Sequence, residues 1–152
     1  MTKLLPPTYV LLALLLIALL YCVLPGPALL RGPWRLLGAL PIGAGLWLNL
    51  WADGLFKRMG TEVKPHRDST IVVAVGPYRF SRHPMYLGMV ALVLGVALAV
   101  GAVTPLVAPC ALWWLLTVKF AIPEEAAMRR QFAAEYDAYA HQVRRWLGRR
   151  AA

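Results

Sequence analysis

MYLGMVALVLGVALAVGAVTPLVAPCALWWLLTVKFAI, residues 85–122, decides the fold. Almost every side chain in it is apolar, and the only charge is Lys119. About 20 apolar residues cross the roughly 30 Å of bilayer hydrocarbon as a helix, so the stretch is too long for one crossing. Gly101, Ala102, Val103, Thr104 and Pro105 form a turn signal inside it. The stretch therefore reads as a helical hairpin with spans at 85–103 and 105–122.

Two further apolar segments precede it. Residues 8–24 end at Pro25-Gly26-Pro27. Residues 34–51 carry Pro41, Gly43 and Gly45, small residues that permit close helix approach. The first segment follows Lys3 like a signal peptide, but no small-x-small cleavage site follows, so it reads as a retained helix. The sequence thus predicts an all-α integral membrane protein with four transmembrane helices, the last two a hairpin, in a single domain over 1–152.

Composition agrees. Of 152 residues, 60% are hydrophobic and 15% charged, against about a quarter charged in soluble domains. Mean hydropathy is +0.60. Disorder is excluded, because chains that stay unfolded are poor in apolar residues. The formal charge is +9, from 16 Lys and Arg against 7 Asp and Glu. Fourteen of the 16 cations fall at Lys3, in the 53–84 loop, or from Lys119 to the end; only Arg31 and Arg35 fall elsewhere. By the positive-inside rule both termini and the loop are cytoplasmic, consistent with four crossings. The Ala, Leu and Arg bias suggests a bacterial cytoplasmic membrane. A basic tail that binds nucleic acid is the weaker reading, since the tail also has an apolar stripe. Cys22 and Cys110 lack metal or redox spacing and read as free buried thiols, and no metal is expected.

In that tail Met128, Phe132, Tyr136, Tyr139, Val143 and Trp146 recur at helical spacing. Pro123 suits the first helical position, and Glu124 and Glu125 suit the positive end of the helix dipole. The expectation is an amphipathic cytoplasmic helix over 123–147, with Arg144, Arg145, Arg149 and Arg150 at its far end.

The loop before the hairpin carries TIVVAVGPYRFSRHPMYLG, residues 70–88. Gly76-Pro77 marks a turn, the β-branched run before it reads as extended, and Pro84 can open the third span. On general grounds Arg82, His83 and Tyr86 are interface anchors and the glutamates are caps. A non-catalytic small membrane protein, such as an assembly factor or transporter subunit, fits that reading. The Trp residues read as interface belts. Asp53, His66 and His141 read as solvated.

The order of motifs changes the balance. GPYR, then RHPMY, one hairpin, PEE, and a tail of the form F-x3-Y-x2-Y-x3-V-x-R-W occur in succession. This half of the chain, about residues 70–146, resembles the integral-membrane methyltransferase family that includes isoprenylcysteine carboxyl methyltransferases and phospholipid N-methyltransferases. The resemblance implies S-adenosylmethionine (SAM) as methyl donor, held on the cytoplasmic side without a Rossmann fold; the chain has no GxGxxG. It implies cofactor contacts at Thr70, Ile71, Val72, Val73, Tyr78, His83, Pro84, Met85, Tyr86 and Glu124. His83, Arg82 and Glu125 are the expected catalytic positions.

The chemistry is apt. A carboxylate can take the SAM ammonium, a cation its carboxylate, and aromatic faces its sulfonium or adenine. The expected acceptor is a membrane lipid or another lipophilic amine, thiol or acid. Prenylcysteine enzymes carry an arginine ahead of the glutamates, where this chain reads Lys119-Phe120-Ala121-Ile122. Lys119 is therefore the candidate contact to an acceptor carboxylate, lacking arginine's two-pronged fork.

Overall fold

The computed structural model describes residues 5–58 and 74–150. Five α-helices follow in order: α1 Pro6–Val23, α2 Ala39–Arg58, α3 Pro84–Val100, α4 Val107–Leu116 and α5 Ile122–Gln142. No strand occurs among the described residues, only two isolated bridges. Two helical stretches are long and apolar enough to cross a membrane, Pro6–Val23 and the continuous Thr104–Gln142; Pro84–Val100 is a shorter apolar helix.

The predicted hairpin is present. α3 stops at Val100 because Gly101 takes a left-handed φ of 77°, a common helix terminator. A 3-10 turn, Thr104–Leu106, leads into α4. The connection after α1 closes over this turn. Leu29 N–H donates to the Gly101 carbonyl at 2.8 Å, Val103 N–H donates to that of Pro27 at 3.1 Å, and Ala28 bridges Ala102. At the opposite end the start of α1 meets the end of the hairpin, where the Tyr9 ring packs edge-on against Phe120 at 5.6 Å.

α2 and α3 pack through bare backbone. Gly88 and Gly95 are seven residues apart on one face of α3, and they meet Gly45 of α2 and Gly38 just before it. A Cβ at Gly45 would stand 2.5 Å from the Gly88 carbonyl oxygen, and one at Gly95 the same distance from that of Gly38. Asn49 lies over Gly88 and donates to the Gly45 carbonyl at 2.9 Å. Gly43, expected at this contact, has open space beside it. Lipid is as apolar as leucine, so close backbone packing is what holds such helices together. Gly88→Ala is therefore expected to cost about 1–3 kcal/mol through overpacking. Gly43→Ala should be harmless; thermal unfolding of both variants in detergent checks this.

Ile17, Val93, Ala97, Leu112, Leu116 and Phe120 form the core between α1, α3 and α4. Large apolar side chains such as Leu15, Leu40, Leu50 and Trp114 point outward, a surface in keeping with membrane association. Cys22 and Cys110 are free but exposed on that surface, not buried.

Four boundaries differ from expectation. Residues 34–38 belong to a 3-10 segment, Gly32–Gly38, opened by Pro33. α2 then runs past Trp51 to Arg58, so the loop begins later than residue 53; there Asp53 pairs with Lys57 at 2.6 Å. The fourth span and the tail are not separate helices. The π-helical turn Thr117–Ala121 precedes Pro123 and carries the helix through it. A proline inside an α-helix crowds the carbonyl four residues back, here that of Lys119, and a wider turn makes room for its ring. Lastly, α5 ends at Gln142 and not 147. Val143 is extended, and 143–150 fold back as a tight hairpin. α5 also breaks at Ala133, φ 36°, where Arg129 and Asp137 pair across the interruption at 3.0 Å.

Candidate active site

The site forms where the start of α3 meets the start of α5. Gly76, at φ 59°, and Pro77 set up the 3-10 turn Gly76–Arg79. Glycine alone turns the chain this way without strain, and proline is preset for the following residue. Pro84 opens α3 in the same manner, which leaves His83 as the residue just outside the helix. Ser81 is buried and accepts the His83 N–H at 3.1 Å.

Glu124 and Glu125 stand at the head of α5 and point to different partners. The Tyr86 hydroxyl donates a short hydrogen bond to Glu124 Oε1. His83 Nδ1 lies 3.6 Å from Glu124 Oε2, and the His83 ring stacks on Tyr86 with centroids 5.6 Å apart. The Glu124 side chain keeps 31% of its surface open.

Glu125 is only 2% exposed. Its carboxylate accepts two bonds from Arg145, at 2.7 and 2.9 Å, and faces His83 Nε2 at 3.2 Å and Arg82 Nη1 at 3.4 Å. Burial pushes the Glu125 carboxyl up, but the bonds from His83 and Arg145 and the Arg82 charge outweigh it and hold the group down at about 2. At neutral pH it is an anion held by the Arg82 and Arg145 guanidinium groups.

Three tyrosines complete the wall. The Tyr139 hydroxyl donates to the Tyr78 carbonyl at 2.7 Å, and Arg82 Nη1 donates to the Tyr136 hydroxyl at 3.5 Å. Burial pushes the Tyr78 phenol well above its usual range, and Tyr139 and Glu124 push it the same way. Burial also raises Tyr136 and Tyr139. All three phenols remain protonated in the physiological range.

Tyr78, Arg82, His83, Tyr86, Glu124 and Glu125 are thus brought together from two patches some forty residues apart. Pro84 is buried in the same corner and Met85 half-buried. Thr70, Ile71, Val72 and Val73 lie outside the described residues, as does His66. Lys119 turns toward α1, donating to the Tyr9 hydroxyl at 3.2 Å with its ammonium over that ring. Among the described residues no cluster of three His, Cys, Asp or Glu side chains suits a metal ion. Arg145, Tyr136, Tyr139 and Ser81 join the site unassigned by sequence reading. Arg145 had a signal, since it is the arginine of the V-x-R-W pattern.

The sequence model of the phospholipid methyltransferase family matches residues 34–135. The match runs from the 3-10 segment before α2, through the α3–α4 hairpin and both glutamates, to the middle of α5. No curated protein and no solved structure matches. Members of this family are methyltransferases of lipid-type substrates, and the apolar helices described above are in keeping with membrane association. A family match over well more than half of the sequence settles the affiliation: the chain belongs to the phospholipid methyltransferase family.

Proposed function

We propose that this protein spans the membrane four times as a single domain, with both termini cytoplasmic, and transfers the SAM methyl group to a lipophilic acceptor at that face. The observation that carries this is the meeting of His83 and Tyr86 with Glu124. The donor set fits the cofactor. Glu124 is a partly open carboxylate for the ammonium, His83 is beside it for the carboxylate, and Tyr78 and Tyr86 offer aromatic faces to sulfonium or adenine. Residues 70–73 lead into the turn that carries Tyr78 and are assigned to the same pocket. Fourteen of 16 cations fall in the sequence segments read as cytoplasmic, which supports the orientation.

When bound, SAM supplies an electrophilic methyl on a positively charged sulfur. The protein's work is alignment and electrostatics. The Tyr86 hydroxyl fixes the rotamer of Glu124, and Glu124 fixes the amino-acid end of the cofactor. An amine acceptor must be neutral to attack, and His83 or water takes its proton. A carboxylate or thiolate acceptor needs no base. The buried Arg82–Glu125 pair holds the loop in place, and the tail helix walls the site from water. Lys119 is assigned to the acceptor side, level with Tyr9.

The family match supports a phospholipid headgroup over a prenylcysteine as acceptor. Purified protein, methyl-labelled SAM and a total lipid extract provide the test. Label is expected in the lipid fraction, and lost with His83→Ala. Failure to bind SAM saturably, together with unlabelled lipid, would sink the proposal.

A further inference from the structure

The chain beyond α5 makes contacts that methyl transfer does not explain. Residues 143–150 fold on themselves: Arg144 N–H donates to the Gly148 carbonyl and Arg150 N–H to that of Gln142, each at 2.9 Å, with Gly148 at φ 100°. The hairpin then docks on the RHP loop. Gly148 N–H donates to the Phe80 carbonyl at 2.7 Å, Arg82 N–H to the carbonyls of Arg144 and Arg145 at 3.2 Å each, and Ser81 Oγ to that of Arg145 at 3.3 Å.

One hairpin side chain then reaches the carboxylates. The Arg145 fork grips both oxygens of Glu125. Glu125 Oε1 meets His83 Nε2 at 3.2 Å, and the other ring nitrogen faces Glu124 at 3.6 Å. A continuous relay runs from Arg145 through Glu125 and His83 to Glu124. Apart from the Arg145 fork, the hydrogen bonds that dock the hairpin use backbone atoms or the Ser81 hydroxyl, and Trp146 packs against Trp113. The hairpin therefore has attachments that do not depend on the Arg145 side chain.

We propose that Arg145 is a positioning residue of the methyl-transfer site: its guanidinium fixes the Glu125 carboxylate, which fixes the His83 ring between the two glutamates. The proposal rests on the reading of His83 and Glu124 as cofactor-binding residues. Two parallel bonds pin a carboxylate against rotation, and a single-point cation does not. With Glu125 loose, His83 loses the partner that sets its orientation and tautomer. The two ends of the chain's second half are thereby coupled, and the tail acts through side-chain geometry and not only by covering the site.

The test compares Arg145→Ala, Arg145→Lys and the exposed control Arg144→Ala. The readouts are kcat, KM, SAM affinity and the ring-nitrogen NMR signals of His83. Arg145→Ala is expected to lower kcat/KM by roughly ten- to hundredfold, as small misplacements at a reacting centre do. It should also move the His83 signals, although Arg145 bonds to Glu125 and not to His83. Arg145→Lys should recover only part of the rate, and Arg144→Ala should match wild type. In a Glu125→Gln background, Arg145→Ala should add no further loss.

Unmoved His83 signals with wild-type kinetics in Arg145→Ala would overturn the proposal, as would losses that multiply independently in the double variant. If Arg145→Ala does not insert, Arg145→Lys carries the test alone. Full wild-type kcat/KM and unmoved His83 signals in that variant would overturn the proposal. The NMR signals read the relay without any substrate. A wild type that binds no SAM would therefore sink the proposed function and leave the Arg145–His83 link to be judged by its own readout.

Discussion

Glu124→Gln is expected to weaken SAM binding roughly ten- to hundredfold while the protein still inserts. A hydrogen bond to a charged partner is worth about 1.5–3 kcal/mol, and each 1.4 kcal/mol is a factor of ten in affinity. The amide keeps the size of the carboxylate and can still accept the Tyr86 hydroxyl, so only the charge changes. With nearly a third of the Glu124 side chain open and the Tyr86 bond kept by the amide, the fold is expected to survive the change. His83→Ala is expected to be at least as damaging, because it removes the ring stacked on Tyr86 and the neighbour of both glutamates. Asp53→Asn is the control, a half-buried carboxylate of α2 paired with Lys57. Calorimetric titration of the purified variants checks all three. Unchanged affinity in both Glu124→Gln and His83→Ala would show that SAM, if bound at all, binds elsewhere.

The convergence of these residues was legible because hairpins return a chain to its starting depth. Once residues 85–122 read as two helices joined at Gly101, the residues before and after them had to share one end of the fold. Helix continuity was less legible. Pro123 looks the same in sequence whether it opens a new helix or sits behind a π turn, and the difference lies in how residues 117–121 wind. The tail stripe misled for a related reason. Val143 and Trp146 keep the apolar spacing and are turned inward, yet they do so from a folded-back hairpin, since burial asks only for contact. Gly43 and Gly45 are equivalent as letters. Which of them meets α3 depends on a partner helix, and the matching Gly88 and Gly95 spacing is meaningful only once the two are paired. Arg145 stood in a recognised pattern but looked like ordinary charge at a helix end. Its partner lies twenty residues back, across a break in α5.

Glu125→Ala is expected to be the most destabilising of these substitutions, at about 3–5 kcal/mol, the usual cost of removing one member of a buried ion pair. The loss is not that of one contact. Arg82, 7% exposed in its side chain, would keep its charge in a place from which water is excluded, and His83 and Arg145 would lose the oxygens they share. Acid should reproduce the effect in the wild type. The folded-state carboxyl titrates at about 2, below its ordinary value of 4.5, so the folded form holds the proton less tightly than the unfolded one. The unfolded chain then binds more protons as pH falls, and stability falls with it. The contribution of Glu125 is fully present above about pH 4.5 and is lost progressively down to about pH 2. Thermal unfolding in detergent, followed by circular dichroism between pH 2 and 7, should show wild-type stability dropping across that window. Glu125→Ala should start lower and drop less, having no such proton to take up. A variant as stable as wild type at pH 7, or one with the same acid slope, would mean that Arg82 and Arg145 are solvated well enough to stand without their carboxylate, and that Glu125 is not what clamps the RHP loop to the tail.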